Sequence, residues 1–149
     1  MSAGTGPGVS EVLPSEAWGI LRDDQDSVLV DVRSAAEWGF VGVPDVSELG
    51  KSVLQVEWAR FPGMVPNPDF VRDVREQLGG SAPSKVLFIC RSGARSLSAA
   101  NAVARAYGED GLPIPCINVA EGFEGDLDAL KHRGMLSGWK ARGLAWRQS

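Results

Sequence analysis

The chain has 149 residues, of which 44% are hydrophobic and 23% charged, and its formal net charge is −4. This length suits one domain with a continuous core, and the composition is typical of globular proteins. The acidic balance, without any basic block, argues against nucleic acid as a partner, and the apolar runs are far too short to span a membrane. Two cysteines do not make a disulfide scaffold. They favour a reducing compartment, so we expect a cytoplasmic protein.

The first residues are small and glycine-rich, with neither a basic nor an apolar signal segment. We therefore predict a flexible lead-in over residues 1–9 and a single domain over residues 10–149. No internal repeat, low-complexity tract or linker divides that domain.

Periodicity and turn residues predict alternating helices and strands. In chain order they are a helix over 14–21, a strand over 28–32, a helical turn over 35–38, a strand over 52–58, a loop over 61–66, a helix over 67–78 capped by Asn67 and ended by Gly79 and Gly80, a strand over 86–89, a helix over 96–107, a strand over 115–119 and a helix over 126–133. This alternation predicts an α/β fold, with a central, mostly parallel sheet and helices on both faces. A short strand near the start could add an edge.

Cys90 stands between the apolar strand predicted over 86–89 and the alanine-rich helix predicted over 96–107. A thiol is therefore expected at the carboxyl end of a buried strand, facing a helix N-terminus. In open α/β sheets, ligands bind at that end of the strands, and the unpaired N–H groups of a turn and helix start favour anions. The alternative is an ordinary buried cysteine in the core.

The residues after Cys90 are expected to form a cup of hydrogen-bond donors that favours the thiolate, the nucleophilic form of cysteine. Gly93 permits unusual backbone angles, and its small neighbours let successive N–H groups converge on one centre. Forked guanidinium groups suit the oxygens of an anionic substrate. The candidate nucleophile is Cys90, and the candidate substrate-binding residues are Arg91, Ser92, Gly93, Ala94, Arg95 and Ser96.

Several of these positions have plain alternatives. Arg95 could instead support the loop in an ion pair with a carboxylate, and Arg91 could point to solvent. Ser96 could serve only as a helix cap.

The size of the cup separates two kinds of chemistry. Four residues lie between Cys90 and Arg95, whereas cysteine phosphatases, which share the strand–loop–helix plan, have one residue more. The longer loop makes a ring wide enough for a phosphoryl group. The tighter loop suits a single extra sulfur atom on the cysteine, so a phosphatase or arsenate reductase is the less favoured hypothesis.

Four segments in a fixed order carry a family resemblance over about residues 10 to 146. They are the strand Val28-Leu29-Val30-Asp31-Val32-Arg33 followed by Glu37-Trp38, the loop Cys90 to Arg95 followed by Ser96, the strand Ile117-Asn118-Val119 with Gly122-Phe123, and the tail Gly138-Trp139 through Gly143-Leu144. Together they resemble the rhodanese (sulfurtransferase) family. One departure is that Gly42-Val43-Pro44 lacks the histidine that many members carry in a Gly-His-Ile-Pro sequence.

The resemblance implies a rhodanese-like domain that moves sulfane sulfur through a persulfide on Cys90. The donor would be thiosulfate or a related small molecule, and the acceptor would be cyanide or a thiol, including a protein thiol. Backbone N–H groups from Arg91 to Ser96 would stabilise the charged sulfur. No metal or organic cofactor is expected. The alternative is a sulfur-carrier or protein-interaction module with little turnover.

Other reactive residue types have structural interpretations. Cys116 is expected in the core, the alternative being a disulfide partner that resolves the persulfide. Asp31, Arg33 and Glu37 are predicted to hold a strand and a helix together. His132, the only histidine, is predicted to be solvated, so neither a Cys–His pair nor a zinc site is expected.

The aromatic residues lead to two further predictions. Trp139 and Trp146 are expected to pin the end of the chain to the domain. Trp58, Arg60 and the loop over 61–66 are predicted to rim the active site.

Overall fold

The computed structural model describes residues 8–79 and 82–148. Its strands are β1 (Val9–Val12), β2 (Ser27–Asp31), β3 (Val43–Pro44), β4 (Leu54–Gln55), β5 (Ala59–Arg60), β6 (Val65–Pro66), β7 (Lys85–Ile89), β8 (Cys116–Val119) and β9 (Trp146–Arg147). Its helices are α1 (Pro14–Asp23), α2 (Ala35–Phe40), α3 (Phe70–Gln77) and α4 (Ala94–Glu109), with a 3-10 turn at Ser47–Leu49. Residues 1–7 of the expected lead-in, and Gly80 of the expected helix end, lie outside the described residues.

The central sheet has five strands in the order β1-β8-β7-β2-β4, and every neighbouring pair is parallel. The predicted α/β fold with a parallel central sheet is therefore confirmed. β7 lies in the middle, and its residues from Val86 to Ile89 are fully buried, as a parallel strand covered on both faces requires. The edge strand β1 begins at Val9, in the segment predicted as a lead-in.

Side chains alternate between the two faces of the sheet and form one core on each. On one face, Phe88 packs with α3 and α4, represented by Val74 and Val103. On the other, Leu87 packs with α1 and with Trp139 from the last part of the chain. None of the helices in residues 8–79 and 82–148 is long and apolar enough to cross a membrane.

The segment between β2 and α3 differs from the prediction in detail. The strand predicted over 52–58 is reduced to Leu54–Gln55, although the N–H groups of Val56 and Trp58 still donate to the carbonyls of Asp31, the last residue of β2, and of Val32 after it. Of the loop predicted over 61–66, residues 61–64 form the turn of a hairpin, and Val65–Pro66 form its second strand, β6, which pairs with β5. Asn67 is not the helix cap, because α3 begins only at Phe70 and the Asn67 side chain accepts the Asp69 N–H instead.

The prediction of a helix over 126–133 is wrong. That segment is a series of turns, and the Asp128 carboxylate accepts the N–H groups of Leu130 and His132, at 2.9 Å each. A short acidic side chain that bonds nearby N–H groups competes with the helical backbone. Lys131 also has a positive φ of 62°, which a right-handed helix does not allow.

Candidate active site

Cys90 follows β7 directly and lies under the loop that leads into α4. Cys90 is 1% exposed, and its side chain lies on the same face of the sheet as Phe88, the face that α4 covers. Gly93 ends the loop with a φ of +112°, a conformation that favours glycine, and α4 begins at the next residue. The loop therefore turns back over the thiol as soon as the strand ends.

The sulfur faces this loop and receives donors from it. The Gly93 N–H donates to Cys90 Sγ at 3.1 Å, and the Ser96 hydroxyl lies 3.1 Å from the same atom. The N–H groups of Arg91, Ser92, Ala94 and Arg95 have no hydrogen-bond acceptor among the described residues. The loop thus places two donors at the sulfur and keeps further N–H groups available to an anion.

The turn after β8 fixes the loop from below. Phe123 N–H donates to the Cys90 carbonyl at 2.8 Å, and the N–H groups of Glu124 and Gly125 donate to the Arg91 carbonyl at 2.9 and 3.1 Å. These bonds hold the backbone of the loop by its carbonyl groups and occupy none of its N–H groups. The sequence shows Gly122-Phe123 only as part of a family motif and does not predict this support.

Arg95 is committed to an ion pair. Its guanidinium donates to both carboxylate oxygens of Glu37, at 2.7 and 3.0 Å, which joins α4 to α2. Burial raises the pKa of Glu37, but the Arg95 hydrogen bonds and charge, together with Ser34, outweigh it and hold that pKa below its ordinary value. Burial lowers the pKa of Arg95, but the hydrogen bonds and the charge of Glu37 outweigh burial and raise that pKa above its ordinary value. Arg95 therefore contributes positive charge near the cysteine, but its Nη1 and Nη2 groups already donate to Glu37.

The network predicted for Asp31, Arg33 and Glu37 is divided in the structure. Asp31 and Arg33 form a fully buried pair, with Nη2 of Arg33 at 2.6 Å from Asp31 Oδ2 and at 2.7 Å from the Gly42 carbonyl. The Arg33 guanidinium also lies 4.4 Å from the centre of the Phe123 ring. Glu37 instead belongs to the pair with Arg95.

A cleft of about 530 Å³ opens beside the loop. Its lining combines basic and apolar side chains, among them Arg91, Arg95, Arg133, Phe40, Phe61 and Met64. Arg91 is exposed and forms no ion pair with a described residue. Of the predicted rim, the 61–66 loop reaches this cleft, whereas Trp58 packs against Phe70 and Arg60 bonds Asn67.

Ser96 connects the sulfur to a polar chain that sequence reasoning missed. Ser96 Oγ lies 2.5 Å from Oδ1 of Asn118 on β8, and Asn118 Nδ2 donates to the Gly93 carbonyl at 3.2 Å and to Glu11 Oε2 at 2.9 Å. In the sequence, Asn118 stands out only as part of the strand motif Ile117-Asn118-Val119. The alternation of side chains along β7 and β8 was the available signal, because it places Cys90 and Asn118 on one face.

Cys116 does not meet Cys90. It pairs with Val86 in the sheet register, four residues before Cys90, which corresponds to about 13 Å along the strand. A disulfide needs a far shorter separation. Burial raises the pKa of the Cys116 thiol to about 12, so it stays protonated within the core. His132 is exposed, and no cluster of metal-ligating side chains occurs in residues 8–79 and 82–148.

The structure most informative for comparison is that of Rv0390 from M. tuberculosis. It is 46% identical in sequence to this chain, covers 94% of this chain and 98% of its own, and superposes with a TM-score of 0.81. The chain belongs to the same family as Rv0390. The match spans nearly the whole of both chains.

Other comparisons are more distant. Proteins named as uncharacterized from Rickettsia conorii (RC0915) and Rickettsia montanensis are each 29% identical over 139 residues, covering 93% of this chain and 98% of their own. A rhodanese-like domain protein from Staphylococcus aureus is 17% identical with a TM-score of 0.46, over 91% of this chain and 96% of its own. No family model matches the chain. The predicted α/β architecture is confirmed by the parallel sheet and its helices, and membership of the rhodanese family stays a prediction.

Proposed function

We propose that this protein is a sulfurtransferase that carries sulfane sulfur on Cys90 as a persulfide. The observation that supports this function is the position of Cys90 Sγ, which accepts the Gly93 N–H and lies within hydrogen-bond distance of the Ser96 hydroxyl at the start of α4. Such donors stabilise negative charge on sulfur, whether on the thiolate or on the outer atom of a persulfide.

The proposed reaction has two half-reactions. The Cys90 thiolate attacks the outer sulfur of thiosulfate, a new S–S bond forms, and the electron pair of the donor's S–S bond leaves with sulfite. Cyanide or a thiolate then attacks the outer sulfur of the persulfide, and the electron pair of that S–S bond returns to Cys90. Electrons balance without an outside oxidant. Because Cys90 holds the sulfur covalently between the two half-reactions, ping-pong kinetics are expected. The reaction needs no metal or organic cofactor.

The loop residues take distinct roles in this proposal. The free N–H groups of Ser92, Ala94 and Arg95 bind the charged end of the donor, and exposed Arg91 attracts it from the cleft. Arg95 adds positive charge, although its guanidinium group donates to both carboxylate oxygens of Glu37. A free thiolate of this kind works in a reducing compartment, which supports the cytoplasm as the proposed location.

Intact-mass measurement after thiosulfate treatment tests this function. The wild-type protein should gain one sulfur atom, and Cys90→Ser should gain none. Cys116→Ser is the matched control, because it removes the other thiol, and it should still gain one sulfur. Sulfur uptake by Cys90→Ser would refute the site, and no uptake by the wild type with several donors would refute the function.

A second candidate is a carrier that docks on a partner protein and turns over little. The observation that favours it is the exposure of apolar side chains at the cleft, 84% for Phe40 and 66% for Phe61. Steady-state cyanide turnover separates the two functions. An enzyme saturates with donor and cycles many times, whereas a carrier transfers one sulfur per chain and stops unless its partner is present.

A further inference from the structure

The Ser96 hydroxyl has one proton and two acceptors within reach. Its oxygen lies 2.5 Å from Asn118 Oδ1 and 3.1 Å from Cys90 Sγ. Ser96 is fully buried and Asn118 is 1% exposed, so water does not replace either contact. The hydroxyl can donate to only one of these atoms at a time.

The amide of Asn118 is held in one orientation. Its Nδ2 donates to Glu11 Oε2 at 2.9 Å and to the Gly93 carbonyl at 3.2 Å. A flipped amide would turn its oxygen toward that carboxylate and that carbonyl, which are acceptors only. Glu11 lies directly opposite Asn118 in the register of β1 and β8. Oδ1 of Asn118 is therefore aimed at Ser96.

We infer that Asn118 is a positioning residue for sulfur transfer, acting on Cys90 through the Ser96 hydroxyl, with Glu11 fixing the amide. This inference rests on the proposed function. With the thiol protonated, S–H donates to Ser96 Oγ and Ser96 donates to Asn118. With the thiolate, the hydroxyl turns to the sulfur. In the persulfide the charge moves to the outer sulfur atom, and the hydroxyl returns to Asn118.

Asn118 thereby competes with the sulfur for one buried proton. Removing this competitor leaves the hydroxyl with Cys90 as its single acceptor, which favours the thiolate. Removing the hydroxyl itself has the opposite effect, because the thiolate loses a donor. A residue that merely packed beside the loop would not produce opposite shifts at Asn118 and Ser96.

Other charges also bear on Cys90 and must stay constant in the test. The charge of Arg95 on α4 interacts with Cys90, and Glu37 pairs with Arg95. The charged or titratable groups near Cys90 include Arg91 from its own loop, Glu11 from β1, Asp31 and Arg33 from the end of β2, Glu37 from α2, Arg95 from α4, Cys116 from β8, and Glu121 and Glu124 from the turn after β8. The variants at Asn118 and Ser96 change none of these charges.

The decisive measurement is the pH profile of Cys90 alkylation by iodoacetamide, followed by peptide mapping. We expect Asn118→Leu to move the midpoint of the profile down by about half to one pH unit, and Ser96→Ala to move it up by a similar amount. The double variant should match Ser96→Ala, because Asn118 acts through the hydroxyl. An Asn118→Leu shift that is upward, or that persists unchanged in the Ser96→Ala background, would overturn the inference.

Glu11 gives a second test on an exposed residue whose replacement spares the core. Glu11→Gln removes the charge but keeps an oxygen that accepts the Asn118 N–H, whereas Glu11→Ala removes both. We expect Glu11→Ala to lower the midpoint more than Glu11→Gln does. Equal shifts would mean that Glu11 acts by charge alone and would overturn its role in fixing the amide.

These profiles do not depend on sulfur transfer. If the wild type fails to accept sulfur by intact mass, the proposed function falls whatever the alkylation profiles show. If sulfur is accepted but the two midpoints do not move in opposite directions, the inference about Asn118 falls alone.

Discussion

Gly122 marks the closest approach of the turn after β8 to the Cys90 loop. A Cβ atom placed there would lie 2.5 Å from the Cys90 carbonyl oxygen and 2.6 Å from the Arg91 carbonyl oxygen. Its φ of +66° is also in the region that favours glycine. The absence of a side chain is thus what lets the neighbouring N–H groups reach the loop carbonyls.

Gly122→Ala should therefore damage both the fold and the loop. The positive φ costs roughly 1 to 2 kcal/mol, and displacing the loop backbone adds roughly 1 to 3 kcal/mol. Urea unfolding measures this loss, and thiosulfate uptake measures the displacement of the loop. Gly50→Ala is the matched control, since Gly50 has a φ of +70° with open space around it. It should show only the smaller loss, with uptake unchanged, and equal losses in both variants would contradict the argument.

The two cysteines are equally buried but chemically different. Cys90 is 1% exposed and accepts the Gly93 N–H, whereas Cys116 is 0% exposed and its thiol faces the Ile114 carbonyl. Burial alone therefore does not distinguish them, and the donors around the sulfur do.

Native protein treated with iodoacetamide near neutral pH should be labelled at Cys90 and not at Cys116. The reason is that the buried Cys116 thiol, with its pKa raised to about 12, supplies almost no thiolate. Peptide mapping identifies the labelled site, and unfolded protein in urea should be labelled at both. Cys116→Ala should leave the Cys90 labelling rate unchanged, and label on native Cys116 would contradict the assignment.

At the scale of elements, α2 and α4 meet through the Glu37–Arg95 pair, whose side chains are 18% and 20% exposed. Glu37 also serves as the third residue of the capping box that starts α2 at Ser34. One carboxylate thus stabilises a helix start and orients the first turn of another helix beside the cysteine.

Glu37→Gln should lower the free energy of unfolding by about 1 kcal/mol at neutral pH. The pKa of Glu37 is lower in the folded protein than its ordinary value of 4.5. Its contribution is therefore present above pH 4.5 and is lost as the pH falls through the lower folded value. Urea titrations at several pH values should show the wild type and Glu37→Gln converging in acid. Asp23→Asn, in the exposed pair with Arg22, should have little effect at any pH.

Local pattern was sufficient for the elements around the cysteine. An apolar run predicted β7, the alanines predicted α4, and the residues between them predicted a cup of donors, all from contiguous sequence. The helix over 126–133 failed because Asp128 satisfies backbone N–H groups that a helix would use. Periodicity alone does not reveal that competition.

Pairings between distant residues could not be predicted in the same way. Arg95 and Glu37 are 58 residues apart, and Asn118 and Glu11 are 107 apart. Each pairing depends on the strand order, which places β1 beside β8 and brings α2 next to the start of α4. Residue types made these groups visible, but only the sheet topology joined them.

At the scale of the whole molecule, the last part of the chain is held by side chains more than by regular structure. Between β8 and β9 the described residues form turns, yet Trp139 is fully buried. Its ring lies 5.9 Å from that of Trp18 on α1, and its Nε1 donates to the Ala145 carbonyl at 2.8 Å. The antiparallel pair of β9 with β3 then fastens the end of the chain.

Trp139→Ala should cost about 3 to 5 kcal/mol, a large share of the roughly 5 to 15 kcal/mol that holds a domain folded. Trp146 is 38% exposed, so Trp146→Ala should cost much less and serves as the control. Urea unfolding followed by circular dichroism measures both.

The turn that supports the Cys90 loop receives its bonds from the same region, because the Trp139 N–H donates to the Gly122 carbonyl at 2.8 Å. Trp139→Ala should therefore also slow sulfur uptake under conditions where it remains folded, and uptake at the wild-type rate would show that the end of the chain stabilises the domain without shaping its site.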